Sequence, residues 1–189
     1  MEAQTLSTLR NHLHLQGIIS KLLVILLIQI SVWSKTIKAQ VQDVNIGDIS
    51  ELRGNAQIVR DEPLDAFVDF DIQSNDEAIT SNGRMAITFL DDSTVRLTEH
   101  SQLLIDEYIY DPDPSKSKMA LTFAIGTTRF ISGNIDKLNK KNISLKTPTA
   151  NIAIRGTDFT ATVNELGESL IILLPNKYGL SSGEIEVIT

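Results

Sequence analysis

The sequence contains no cysteine. That absence excludes disulfides, thiolate metal sites and a cysteine nucleophile together. Histidine is nearly as scarce: three are present, and His12 and His14 lie in the N-terminal stretch, so His100 is the one imidazole open to the rest of the chain. Positive charge is also short. Residues 1–40 hold four bases and one acid, which leaves 17 − 4 = 13 bases against 24 − 1 = 23 acids in residues 41–189, a net of −10. An acidic body repels phosphate backbones, so a nucleic-acid reader is not expected. No nucleophile elbow, phosphate loop or dinucleotide fingerprint occurs. Carboxylates are plentiful, but no positioned pair of the kind used in glycoside hydrolysis can be named. These gaps predict a non-catalytic protein without cofactor or resident metal. A content of 42% hydrophobic and 22% charged residues is that of a folded domain rather than a disordered one.

What is present divides the chain in two. Residues 1–16 are polar and carry Arg10; Gly17 to Trp33 is dominated by apolar residues, with an unbroken run from Leu22 to Ile28, and Lys35 and Lys38 follow. The strictly apolar run is short for a bilayer span of ~20 residues and matches a signal-peptide core of roughly 7–15. Residues 1–40 are therefore expected to form a hydrophobic targeting helix, either a cleaved signal peptide ending near Ala39 or an uncleaved membrane anchor. Contact with a membrane is expected only through this segment.

From Val41 the pattern changes to short alternating or β-branched runs split by Gly, Asn, Asp and Ser, the pattern of strands. The runs are Ala56–Arg60, Met85–Leu90, Thr94–Leu97, Leu103–Ile105, Ala120–Phe123, Thr128–Ile131, Ile143–Lys146, Asp158–Val163, Ser169–Leu174 and Glu184–Val187. Three connections read as hairpin turns: Ser81-Asn82-Gly83, Leu90-Asp91-Asp92-Ser93 and Asn164-Glu165-Leu166-Gly167. Helix is expected only before residue 36, plus a turn at Asp136–Lys141. The expected fold is an all-β domain over residues 41–189, a short-stranded β-solenoid or roll, or a sandwich. A weak repeat supports the solenoid: Gly54, Gly133 and Gly183 each precede the start of an alternating strand, where a glycine supplies a left-handed corner. The spacings, 79 and 50 residues, are irregular, and a chance recurrence accounts for them equally well.

The densest motif runs from Lys146 to Phe159. Pro148 cannot donate to a ladder and ends a strand after Thr147. Ile152 and Ile154 share one face and Arg155 takes the other. Gly156 lets the backbone reverse, while Thr157 or Asp158 is placed to bond the exposed amides of the turn. This predicts a tight corner between strands, with Arg155 tied to a carboxylate or turned outward to a ligand. Residues 61–77 carry seven acids and no base; without an EF-hand or a glycine-rich calcium repeat they read as a solvated loop. Tyr108, Tyr110, Asp111 and Asp113 stand in a proline-containing stretch that reads as an exposed contact loop or a plain connector.

These motifs, in this order, resemble the FecR domain family. The resemblance covers residues 45–189: the glycine-spaced opening Gly47–Arg60, the segment Ile79–Phe89, the turn Leu90–Leu97 and, most specifically, Thr147–Ala150 through Ile154–Phe159. Asp92 stands where the family usually has glycine, which an Asp in a left-handed turn can replace. The stretch Ile105–Pro112 is similar to stand-alone, exported members. The resemblance implies a β module of the periplasm or cell surface of Gram-negative bacteria, of the sensing or binding kind, with an unidentified envelope protein, glycan or small ligand as its partner. The residues before the apolar segment leave no room for the σ-factor-binding segment of regulator members, so that mechanism is not implied. The subgroup often continues with further strands, so the domain is expected to be cut short at Thr189, which would leave an unpaired edge. The second reading is a structural or surface-assembly component that pairs through strand edges.

Overall fold

Alternation of apolar and polar residues gives each strand one face for the core, and the chain uses it throughout. The computed structural model describes residues 44–113, 115–134 and 142–189. Its elements are β1 (Gly47–Arg53), β2 (Ala56–Val59), β3 (Pro63–Asp65), β4 (Asp71–Ile72), β5 (Glu77–Thr80), β6 (Arg84–Phe89), β7 (Thr94–Leu97), β8 (Gln102–Ile109), β9 (Lys118–Ile131), β10 (Ile143–Lys146), β11 (Asn151–Arg155), β12 (Asp158–Val163), β13 (Ser169–Leu173) and β14 (Glu184–Ile188). No α-helix occurs among the described residues, and none of their segments is a helix long and apolar enough to cross a membrane. The targeting helix expected in residues 1–40 and the turn expected at Asp136–Lys141 lie outside the described residues.

The strands form one 14-stranded sheet that curls over on itself as a half-barrel. One layer runs β4-β1-β6-β7-β9-β12-β13 and the other β3-β2-β5-β8-β9-β10-β11-β14, with β9 common to both. The chain crosses between layers at a line of adjacent corners: Gly54-Asn55, Ser81–Gly83, Thr98–Ser101 and, within β9, Gly126. Backbone bonds stitch each corner to the next, from Ser81 N to Asn55 O (3.0 Å), His100 N to Ser81 O (3.0 Å) and Thr98 N to Thr127 O (3.0 Å).

Gly126 explains why β9 is one strand where its sequence reads as two. Met119, Leu121 and Phe123 face the core in the first half, whereas Thr128 and Phe130 do so in the second. The inward parity therefore shifts by one residue. Gly126 absorbs the shift at φ +83°, in the left-handed region that side chains rarely adopt, and a bulge in the β8–β9 ladder accompanies it, with Ala124 as the extra residue of β9. The two layers then close on aromatic contacts: Phe123 meets Phe159 edge-on at 5.9 Å, Phe130 lies 5.6 Å from Phe159, and Phe89 stacks on Tyr108 at 5.0 Å. Burying each such ring contributes roughly 1.5–3 kcal/mol.

The expected fold is corrected in two respects. A solenoid stacks parallel coils, but here every ladder is antiparallel except β9–β10, so the roll is a folded-over antiparallel sheet. Ser81–Gly83 is not a hairpin, since β5 pairs with β2 and β8 while β6 pairs with β1 and β7; it is one of the interlayer corners. Leu90–Ser93 and Asn164–Gly167 do close hairpins, β6–β7 and β12–β13. The glycine repeat also takes on a different meaning. Of the three, only Gly54 has a positive φ. What they share is backbone contact with another turn: a Cβ would overlap Asn82 at Gly54, Asp91 and Ser93 at Gly133, and Gly156 and Arg155 at Gly183.

Candidate functional site

The Lys146–Phe159 motif folds as two linked turns. β10 ends at Lys146, and Thr147 opens a tight connection to β11 in which Thr147 N donates to Ala150 O (2.8 Å) and Thr147 Oγ1 accepts from Ala150 N (3.1 Å). Ser169 Oγ donates to the same hydroxyl (2.7 Å), and Thr149 Oγ1 donates to Gly167 O (3.0 Å), so Pro148 and its neighbours dock on the β12–β13 hairpin. Gly156 reverses the chain at φ +60°, as the sequence predicts. Thr157 is buried; its Oγ1 accepts from Arg155 N (3.1 Å) and its N donates to Ser132 Oγ (2.9 Å). Arg155 meets Glu184 at 3.5 Å with both side chains exposed, 67% and 75%, so its carboxylate partner is not a buried one. Asp158 bonds no turn amide with its side chain. It turns instead to Arg129, accepting Nε at 2.8 Å and a terminal nitrogen at 2.5 Å.

Arg129 leads to a broad groove with an apolar floor. On the outer face of the first layer the register aligns Glu51, Ala86, Arg96, Arg129, Thr160 and Ile172 in a cross-strand row. Ala86 is small enough for Arg96 to reach across it to Glu51 in a two-pronged pair of 2.8 and 3.1 Å. That bond holds the Glu51 carboxyl below its ordinary range, and the bond to Asp158 raises the already high pKa of Arg129. The groove has a volume of about 530 Å³ and is lined by Arg53, Arg84, Arg96 and Arg129, four of the chain's seven arginines. Arg84 also lies 3.3 Å from Glu99. Arg53 stands directly across the β1–β6 ladder from Arg84; its side chain makes no hydrogen bond or close ion pair among the described residues, and its charge reaches Glu51. Like charges placed opposite each other on a sheet are destabilising. An anion between them would relieve that repulsion.

The family model described as FecR protein matches residues 76–176, more than half of the chain. The chain belongs to the FecR family. The match runs from β5 through β13; it is narrower than the range over which the sequence motifs resemble the family, although β1–β4 share the same sheet. FecR proteins are typically envelope-associated, and at family level the domain points to a signal-transduction or sensing module. Neither the search of curated proteins nor that of solved structures returned a match.

Within the FecR domain, the Asp91-Asp92-Ser93 turn is a polar knot rather than a surface loop. Asp92 adopts φ +67°, the conformation that glycine would otherwise supply. Asp91 is fully buried; its carboxylate accepts from Ser93 Oγ (2.6 Å) and from Tyr108 Oη (2.8 Å), while its amide donates to Tyr108 Oη (3.0 Å). Tyr108, 3% exposed, is therefore a core residue and leaves the contact loop to which the sequence assigned it. Burial, and then the charge of Asp91, push its phenol far above the usual tyrosine range. The sequence reading failed here because β8 extends to Ile109 rather than stopping at Ile105, and a bulge at Asp106 shifts its inward side from Leu103 and Ile105 to Tyr108. Tyr110 is exposed. Asp111 accepts from Asp113 N (2.8 Å), and Asp113 accepts from Ser115 Oγ (2.8 Å), which lowers its pKa, so both carboxylates cap their own turn. In the acidic stretch Asp76 is buried and holds Arg60 through contacts of 2.7 and 2.8 Å. Among the described residues no group of three or more His, Asp or Glu is arranged to hold a metal ion. The groove arginines escaped the sequence reading, although their signal was there: Arg84, Arg96 and Arg129 each occupy the polar phase of an alternating strand, and only strand pairing brings them together.

Proposed function

We propose that this FecR-family chain is a non-catalytic envelope module that senses or binds an acidic partner, a carboxylate-bearing protein segment or an acidic glycan, along the arginine groove. The observation that carries the reading is Arg53 facing Arg84 across β1–β6, above a floor with Ala86 at its centre and Arg96 and Arg129 held in place by Glu51 and Asp158. An overall acidic body with one arginine-rich face steers acidic partners to that face alone. Residues 1–40 serve as export signal or anchor in this reading, which places the groove in the periplasm or at the cell surface. The test is binding of fluorescent poly-glutamate and poly-galacturonate to the full-length protein in mild detergent, with neutral dextran as control. Arg53→Ser combined with Arg84→Ser is expected to abolish binding, while Arg155→Ser, away from the groove, leaves it unchanged. Binding that survives the double substitution, or that extends equally to dextran, rejects the groove.

A further inference from the structure

The sheet has four open edges among the described residues, and three of them carry features that discourage pairing. β3 is three residues long and contains Pro63 and Asp65. β4 has two residues, one of them Asp71. β14 presents Glu184 and Glu186. β13 has none of these. From Leu170 to Leu174 it is Leu-Ile-Ile-Leu-Leu, without charge, proline or glycine, and it pairs with β12 alone. Its outward side chains Leu170 and Ile172 are 59% and 47% exposed.

The backbone pattern defines what fits this edge. Leu174 N donates to Asp158 O, and Asn164 N donates to Glu168 O. By the alternation of an antiparallel ladder, Leu170 and Ile172 then also direct their amides and carbonyls to β12. Ser169, Ile171 and Leu173 direct theirs to the open side. An antiparallel strand of the same sequence centred on Ile171 places Ile171 opposite Ile171 and Ser169 opposite Leu173, and it satisfies every one of those groups. It also sets Leu170 against Ile172, apolar on apolar. The ends are complementary as well, because Glu165 and Glu168 flank one end of β13 and Lys177 the other, so antiparallel pairing brings acid to base.

We propose that β13 is the interface through which two copies of this chain pair, edge to edge, about a two-fold axis at Ile171. The pairing joins the first layers of the two copies into one continuous sheet. It does not depend on the groove reading, and its test uses no ligand.

Because the chain lacks cysteine, one introduced thiol reports on one position. Residues in a hydrogen-bonded antiparallel pair have Cα atoms about 5.5 Å apart, inside the disulfide range of roughly 4.4–6.8 Å. Full-length Ile171→Cys, oxidised in cells, is expected to form a species of twice the monomer mass. Ser169→Cys is expected to form none, since its copies lie about 13 Å apart in this register. Ile171 is half-buried, so a second arm uses only the exposed positions: Leu170→Cys and Ile172→Cys are to cross-link when co-expressed. In the Ile171→Cys background, Leu170→Glu with Ile172→Glu sets acid against acid and is expected to remove the cross-link. Leu170→Lys with Ile172→Glu sets opposite charges together and retains it. The proposal is overturned by failure of both thiol arms, by a cross-link as strong from Ser169→Cys, by equal behaviour of the two charge pairs, or by a cross-linked product containing a different protein in place of the second copy.

Discussion

Replacing Tyr108 by Phe removes a single oxygen from the core, and the surrounding geometry sets the size and the pH dependence of the effect. That oxygen donates to the Asp91 carboxylate at 2.8 Å and accepts from the Asp91 amide at 3.0 Å, in a site from which water is excluded. A hydrogen bond to a charged group contributes about 1.5–3 kcal/mol, and removing an acceptor from a buried amide adds a penalty of similar order. The two are not independent, so the expected loss is about 2–4 kcal/mol of the ~5–15 that a domain holds. For a domain of this size that lowers the melting temperature on the order of 5–15 °C. The Phe89 stack keeps its ring partner, so the change isolates the polar part. The pH dependence is more specific still. The folded state holds the Tyr108 phenol protonated well above its ordinary range. Above about pH 10 the unfolded chain releases that proton and the folded chain does not. The folded state then binds more protons, and wild-type stability falls by about 1.4 kcal/mol per pH unit from this group. Tyr108→Phe lacks the group, so the gap between the two proteins should narrow above pH 10. Urea unfolding of both at pH 8, 10 and 11 measures it. A gap that stays constant across that range refutes the buried Tyr108–Asp91 contact.

Two further outcomes rest on local geometry. Gly156→Val, at φ +60°, is expected to cost about 1–3 kcal/mol and lower the melting temperature by several degrees, whereas Arg155→Ala, which breaks only an exposed pair, is expected to leave it nearly unchanged; equal effects of the two would contradict the corner described. The Thr128 hydroxyl is buried with no partner among the described residues, so Thr128→Val should raise thermal stability by about 1 kcal/mol, and a loss of stability in the melt would show that the hydroxyl is bonded.

Much of the fold was legible residue by residue. β7 and β12 follow from clean alternation, the Pro148 and Gly156 turns from backbone chemistry, and the left-handed Asp92 from its position in a hairpin. What failed had a common cause. β3 and β4 are too short to show a period, and the four residues of β5 open on Glu77 beside a buried Asp76. Ser81-Asn82-Gly83 has hairpin chemistry because an interlayer corner needs the same tight reversal; only the partners of β5 and β6 distinguish the two. The groove was invisible for a related reason. Arg53 and Arg84 are 31 positions apart, Arg96 and Arg129 33, and their juxtaposition is a property of register, which no local pattern carries.

The parity shift at Gly126 bears on which changes of length this chain can absorb. The hairpin at Asn164–Glu168 and the turn at Asn176–Leu180 are exposed, so extra residues there would extend into solvent. A one-residue deletion at Thr127 or Thr128, past the Gly126 corner, would instead turn the second half of β9 over. Arg129 and Ile131 would then point inward, placing a guanidinium in the buried place of Thr128 and Ile131 where Phe130 now packs on Phe159, and stripping the groove of the partner of Asp158. The same strand positions the core and the outer face, so no single-residue insertion or deletion at this point can change one without inverting the other.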